Sequence, residues 1–365
     1  MKNKYILLFL LGLAVLFLTV SCKSTPAEEA PVTPPEGIQD PNNVPPDQAL
    51  LKALDDAVTR TGNARQLVID FHGPEYFPSD WQSAEALNTQ AGQQKRSGTV
   101  AETRDSTDRY KKAADAYDAL AEKTLPQYHE NKENELVDAR NAVIRMEELL
   151  PDFLSAADNT ALDAEAKYQA KDYYPAKDAA TDALTMYSLL KAGLDSYALR
   201  EEIAENALEA YDPANIEAAD TTLESAAYDY QDKKFDSSKS KIDEATLSYS
   251  QALETGWESL AAENGASASA KRQQALDLKA NVAVKDDFNS AQAVFTNANA
   301  AFQAQKHKEA AQLFGDSSSK FDPVIQAAMQ KRQAAEDALV KANQKMAESD
   351  EAAKNAEKIL EGGTQ

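Results

Sequence analysis

The feature that most constrains this chain is an apolar stripe with steps of three and four residues, written several times over. From Ile216 it runs through Ala219, Leu223, Ala226 and Tyr230. Phe288, Ala291, Phe295, Ala298 and Phe302 repeat the steps, and Leu154, Ala157, Ala161, Ala164 and Tyr168 nearly do. A 3.5-residue period places all five positions on one helical face and suits helices that pack nearly parallel. No stretch alternates Val and Ile with period two, and Ala, Glu, Lys, Leu and Gln dominate after Gln48. The chain therefore reads as all-α.

Each stripe ends in a related turn. "YQAKDY" (Tyr168 to Tyr173), "YQDKKF" (Tyr230 to Phe235) and "FQAQKH" (Phe302 to His307) align without gaps. A second stripe follows: Ala176, Ala180, Ala183, Tyr187, Leu190; then Ser238, Ile242, Ala245, Tyr249, Ala252; then Ala310, Phe314, Ser317, Phe321, Val324. An earlier copy, Ser106, Tyr110, Ala113, Tyr117 and Leu120, keeps the spacing. Its first helix fits at Trp81 and Ala84 but puts Asn88 and Lys95 in apolar slots. A third element precedes each pair, beginning near Arg65, Arg140, Arg200 and Arg272 and running to Tyr76, Leu149, Tyr211 and Ala283. Pro78, Pro151 and Pro213 come next, and Pro suits the first turn of a helix. Asp152 and Asp212 add carboxylates at that positive end. "YFPSDWQSAE" and "YDPANIEAAD" thus mark corners where one helix ends and the next begins.

Each unit has three helices: a before the corner, b after it, c after the turn. Tyr117, Tyr187, Tyr249 and Phe321 recur every 60–70 residues or so, a solenoid-like signal. Helix b is expected to lie antiparallel between its own a and c. Helix c of the second copy is expected to run into helix a of the third for about 55 Å, while Pro126 and Pro323 are expected to kink or break the other junctions. The expected divisions are 48–125, 126–192, 193–263 and 264–328 for four repeats and 329–365 for a C-terminal capping helix. The expected architecture is tandem three-helix (spectrin-like) or helical-hairpin repeats forming an elongated rod. Tyr117, Tyr187, Tyr249, Phe321, Tyr168, Tyr230 and Phe302 are the expected repeat-packing residues.

The N-terminus reads differently. Lys2 and Lys4 precede an uncharged run, Tyr5 to Val20, then Ser21 and Cys22, the only Cys. This is the order of a secretory signal over 1–21, and the run is shorter than the ~20 residues a bilayer core needs. The single Cys at its end resembles the acylation site of bacterial lipoproteins. Leu18 lies four residues before it, a relaxed spacing similar to that of spirochaete lipoproteins. The resemblance implies lipidation at Cys22, where several acyl chains such as palmitate would anchor firmly. Residues 22–47 form a Pro-rich linker holding half the prolines of the chain. Lys23 carries no Asp-type retention signal, which favours an outer membrane.

"ALREEIAENALEAYDPANIEAADTTLESA" (Ala198 to Ala226) and "ARQLVIDFHGPEYFPSDWQSAEAL" (Ala64 to Leu87) resemble a bacterial lipoprotein helical domain of unknown function. The layout is similar to treponemal membrane-antigen lipoproteins. The resemblance implies an envelope-anchored structural or interaction role and supplies no catalytic residues.

Chemistry-bearing constellations are sparse. His72, His129 and His307 are the only histidines, and none has a partner at metal-ligand spacing. No Gly-rich phosphate loop or nucleophile elbow occurs. Glu147-Glu148, Glu201-Glu202 and Asp286-Asp287 are adjacent pairs that diverge on a helix, so they read as solvated faces. Trp81 reads as core, and Trp257 as core or a partner contact. A net charge of −22 disfavours nucleic acid as a partner. No cofactor, metal or enzymatic activity is expected. The expected function is a lipid-anchored spacer or docking scaffold for other envelope proteins, in the periplasm or at the surface. The alternative is an accessory lipoprotein for solute uptake, with a small-molecule pocket between repeats.

Overall fold

A computed structural model describes residues 40–93 and 98–362, with backbone alone for 361–362. The signal segment, Cys22, most of the linker and Lys95 lie outside these residues. The described residues form twelve helices and no strand: α1 (Gln48–Asp70), α2 (Gly73–Tyr76), α3 (Pro78–Gln93), α4 (Val100–Ala142), α5 (Met146–Leu149), α6 (Pro151–Gln169), α7 (Tyr173–Glu205), α8 (Pro213–Gln231), α9 (Phe235–Asp277), α10 (Ala280–Ala283), α11 (Lys285–Gln303) and α12 (His307–Gly362). The chain is all-α. It divides into two compact units, one up to Thr124 and one from Leu125 onward.

The second stripe is buried in every copy. Tyr117 and Phe321 are fully inaccessible, and Tyr187 and Tyr249 nearly so. Between them lie small residues, Ala113, Ala183, Ala245 and Ser317, each at 0 % exposure. Small side chains at these positions leave room for close packing of the b and c helices. Two serines use that closeness: the Ser238 hydroxyl donates to the Ala226 carbonyl at 2.9 Å, and Ser317 to Ala291 at 3.4 Å.

In the second unit each b helix (α6, α8, α11) pairs chiefly with its own c (α7, α9, α12), and in the third and fourth repeats helix a, the end of α7 or α9, also packs directly on c. Helix c is therefore central, and b is not sandwiched between a and c as expected. Bonded pairs run in the same sense along α9 and α12: Asn264 to Ala311, Lys271 to Asp322. The long helices are thus parallel, and each b runs back against one of them: Ser238 meets Ala226, Tyr249 meets Asp220.

One backbone device ends the b helices of the second, third and fourth repeats. After each b helix, Lys171, Lys233 and Gln305 are left-handed, with φ of 62°, 59° and 59°. The next amide bonds back five residues: Asp172 to Lys167, Lys234 to Asp229, Lys306 to Ala301. This doubly bonded ending satisfies carbonyls that would otherwise be orphaned. At the a–b corners His72, Ala207 and Lys279 are also left-handed. Here helix a stops earlier than the sequence suggests, and a single turn (α2, α5, α10) or a short loop follows. The residue before each b helix then adopts one conformation, φ −133° to −148° and ψ 53° to 68°, at Phe77, Leu150, Asp212 and Val284. Proline disfavours the helical region for the residue before it in three copies, and Val284 keeps the same non-helical conformation ahead of Lys285 without proline.

The c-to-a junctions are continuous. Pro126 lies inside α4 and Pro323 inside α12, so neither breaks its helix. Both prolines are exposed, and so are Glu122 and Ser319, whose carbonyls lose their partner. Water can replace that bond on the solvent face. The segment from residue 329, expected to cap the repeats, is simply the continuation of α12, and its side chains are exposed from Lys331 to Leu360.

Two substitutions probe these devices. A left-handed non-glycine residue costs roughly 1–2 kcal/mol, and glycine costs about 0.5–1 kcal/mol through the unfolded chain. Lys233→Gly should therefore raise stability by about 0.5–1 kcal/mol in chemical denaturation. Gly256 faces Leu208, whose Cβ lies 2.9 Å from where a new Cβ would sit. Gly256→Ala should cost about 1–3 kcal/mol by overpacking; an unchanged denaturation midpoint would remove this contact from the account.

Candidate functional site

The polar chemistry of the repeats converges on one recurring tie. In the first copy Arg65 Nε donates to Glu85 Oε1 at 2.6 Å, and the Tyr117 hydroxyl donates to the same oxygen at 2.5 Å. In the second, Arg140 Nε and the Tyr187 hydroxyl both reach Asp158 Oδ1, at 3.0 and 2.6 Å. In the third, Arg200 pairs with Asp220 at 3.4 Å and Tyr249 donates to it at 2.5 Å. Helix a thus supplies the cation, b the carboxylate and c the phenol. In the fourth copy Phe321 replaces the phenol, and Gln292 replaces the carboxylate, its Oε1 accepting from Arg272 Nε at 2.5 Å. Loss of the hydroxyl coincides with loss of the charge it would have bonded.

Burial raises the proton affinity of the Tyr117, Tyr187 and Tyr249 phenols, and each bonded carboxylate adds to it. Burial also raises the Tyr230 phenol; its hydroxyl donates to the Phe153 carbonyl at 3.0 Å and its ring stacks on Phe153 at 5.5 Å. For Glu85, partial burial pulls the carboxyl up, but Arg65 and Tyr117 outweigh it and leave it below its usual value.

The turn aromatics also pair. Tyr168 meets Tyr173 at 5.7 Å, Tyr230 meets Phe235 at 6.3 Å and Phe302 meets His307 at 5.5 Å. All seven aromatics singled out from sequence are buried or half-buried. His307 fills the ring slot of its turn and bonds Glu254 through Nδ1 at 2.7 Å. His129 stacks on Tyr168 at 3.8 Å, and its Nε2 lies 2.5 Å from Glu165. His72 provides a left-handed corner. Trp81 lies against Tyr117 and under Arg65, at 5.7 and 5.2 Å. Trp257 is core: it is 5 % exposed among Ile203, Leu208 and Phe314, with Lys308 over its ring at 5.4 Å.

Two of the acidic residues read as solvated do more. Glu201 takes both guanidinium nitrogens of Arg145, and Glu202 bonds Lys308 at 2.8 Å. Glu202 thereby ties α7 to the start of α12. The residues missed in the sequence are the carboxylates Glu85, Asp158 and Asp220. Their signal was a recurring spacing: 18 to 20 residues after the arginine and 29 to 32 before the tyrosine of the same repeat.

An apolar groove of about 490 Å³ lies between the second and third repeats. Met146, Leu150, Leu194, Tyr197, Leu223 and Ile242 wall it, with Asp220 and Glu224 at its polar edge. Leu150 and Tyr197 are 43 % and 38 % exposed. α7 passes the groove at Gly193, where an added Cβ would meet nothing within 4 Å. A polar hollow of about 680 Å³ lies nearby, with Asp152, Asp163, Asp178 and Asp182 beside Lys167 and Lys233. Among the described residues no His/Cys/Asp/Glu cluster could hold a metal ion, and no helix is long and apolar enough to cross a membrane.

Comparison with family models, curated proteins and solved structures returns no match.

The fourth repeat supplies the control for the tie. Tyr249→Phe and Asp220→Gln should each destabilise, by about 1 kcal/mol for a lost hydrogen bond and more where a buried group is orphaned. The double variant, which copies the fourth repeat, should cost less than their sum by at least about 0.5 kcal/mol; strict additivity would show that the two do not act together. The phenols give a pH signature as well. Their native proton affinity is raised, so their stabilisation is complete below the unfolded value near 10. It is lost as pH climbs from there toward the native value, because unfolding then releases protons. Alkaline unfolding tracked by circular dichroism should coincide with the last phase of tyrosinate absorbance, after exposed phenols such as Tyr174 and Tyr228 have ionised; complete tyrosinate absorbance while helicity is intact would contradict this.

Proposed function

We propose that the protein is a lipid-anchored docking scaffold of the cell envelope, binding other envelope proteins and carrying out no catalytic step of its own. The sequence of basic start, apolar run and Cys22 supports the anchor, with the folded part held in the periplasm or at the surface and an outer membrane favoured. The observation that carries docking is the groove between the second and third repeats. Open apolar surface such as Leu150 and Tyr197 marks interaction sites on otherwise charged proteins. The −22 net charge disfavours nucleic acid and anionic lipid as occupants.

The groove also favours a second reading, an accessory role in solute uptake, because about 490 Å³ falls within the ~300–1,000 Å³ of small-molecule sites. One experiment separates the two. A photo-crosslinking residue at Tyr197, introduced in cells, should capture an envelope protein, and Gly193→Phe, which fills the groove, should abolish capture. Absence of any protein adduct, together with a solute-dependent rise in Tm, would replace docking with uptake. Anchoring is checked apart: Cys22→Ala should move the protein from the membrane to the soluble fraction, and retention on the membrane would refute lipidation there.

A further inference from the structure

The buried seam of α12 does not stop where its bundle stops. Phe321, Ile325 and Ala328 are at 0 %, 4 % and 1 % exposure. The same three-four stepping continues through Ala335, Leu339, Ala342, Met346, Ser349, Ala353, Ala356 and Leu360, with one basic residue, Arg332, in the series. All of these are exposed; Leu339, Met346 and Leu360 are at 63 %, 66 % and 76 %, with Val340 and Ile359 beside them at 56 % and 76 %. Helix stability in proteins comes mostly from packing of such a face.

We propose that residues 331–360 pair with the same segment of a second copy, in antiparallel orientation. Charge points to the partner and to the direction. The chain carries −22, yet this segment is neutral. Its first half, 331–345, holds four basic residues, Lys331, Arg332, Lys341 and Lys345, against Glu336 and Asp337. Its second half, 346–360, holds Lys354 and Lys358 against Glu348, Asp350, Glu351 and Glu357. The halves are therefore +2 and −2. Antiparallel pairing sets each basic half on an acidic half and opposes the helix dipoles. Parallel pairing sets like on like and gathers two acidic bodies at one end. Antiparallel, those bodies leave from opposite ends of a segment about 45 Å long, several times the ~8–10 Å screening length.

The side chains fit the same direction. One antiparallel register places Leu339 opposite Ala356 of the second copy, Met346 opposite Ser349, Ala353 opposite Ala342 and Leu360 opposite Ala335. Large meets small or small meets small in every layer, which allows close axes. One flank adds apolar contact, Ala338 beside Ile359 of the copy. The other sets Glu336 near Glu357, an exposed pair that salt screens. This pairing goes beyond the docking role and does not depend on it.

The test uses the full chain with Cys22→Ser, so that introduced cysteines are the only thiols. Sedimentation equilibrium should find a dimer, and Leu339→Asp with Met346→Asp should weaken it by about a hundredfold or more while leaving the bundle's circular dichroism. A chain that stays monomeric, or a dimer indifferent to these substitutions, overturns the proposal. For direction, Ala342→Cys and Ala353→Cys variants are oxidised alone and mixed. Antiparallel pairing gives a cross-linked dimer on mixing and little from either alone. Efficient self-cross-linking of Ala342→Cys alone indicates parallel strands and overturns the direction argued here. Capture of residues 331–360 only by a different protein, or only by lipid vesicles, overturns it equally.

Discussion

A phenol on helix c, a carboxylate on helix b and a guanidinium on helix a meet at one point in three of the four repeats, and the geometry of each repeat depends on that meeting. The apolar seam alone is permissive. Alanines at three-four spacing allow two helices to slide by a turn with little change in buried area. Tyr187 cannot slide, because its hydroxyl must find Asp158 while its ring is held at 2 % exposure. Arg140 then fixes the third helix against the same oxygen. The ion pair by itself is half-exposed and worth at most ~1 kcal/mol. Its value is in register: a slipped seam would bury a phenol without an acceptor, which costs more than the pair supplies. The fourth repeat follows the same logic with other groups, since Phe321 needs no acceptor and Gln292 leaves no charge behind.

The turns set helix length, and the seam then follows. The left-handed Lys171, Lys233 and Gln305 stop helix b at the same place in the second, third and fourth copies. The aromatic that closes b meets the ring that opens c across that stop. No comparable stop exists between c and the next a, so those two halves become one helix. Proline does not prevent this, because Pro126 and Pro323 sit where the lost bond faces water. Hydration of the abandoned carbonyl lessens the cost of an interior proline without removing it, since the ring also crowds that carbonyl.

The seam, the turns and the all-α class were legible in the sequence because each is a matter of local spacing. Every position of the second stripe, from Ser106 to Val324, is buried. What stayed hidden was set by tertiary partners. Glu85, Asp158 and Asp220 look like any solvated acid until Arg and Tyr from two other helices arrive. The early end of helix a was hidden for a related reason: Ala207 and Lys279 have no glycine signal, and only the buried Leu208 and Ala280 that follow them, both at 0 % exposure, reward the left-handed turn. Trp257 could not be decided from spacing because its neighbours, Ile203 and Leu208 on one side and Phe314 on the other, come from two other stretches of chain. The groove was equally invisible, since it is made by residues from both sides of a repeat junction.

The distribution of charge separates two kinds of surface on one chain. Inside the repeats, several basic residues enter repeat ties and cross-helix pairs, among them Arg65, Arg140, Arg200 and Lys308. The acidic excess remains toward water, where it keeps the Ala-rich helices from associating through their outer faces. Along residues 331–360 the excess vanishes while the apolar stripe persists. A stripe without its repulsive margin is one that permits close approach by another helix, and only in an orientation that respects its +2 and −2 halves. Among the described residues, the apolar groove and the neutral helix are two places where contact with other molecules meets little electrostatic opposition.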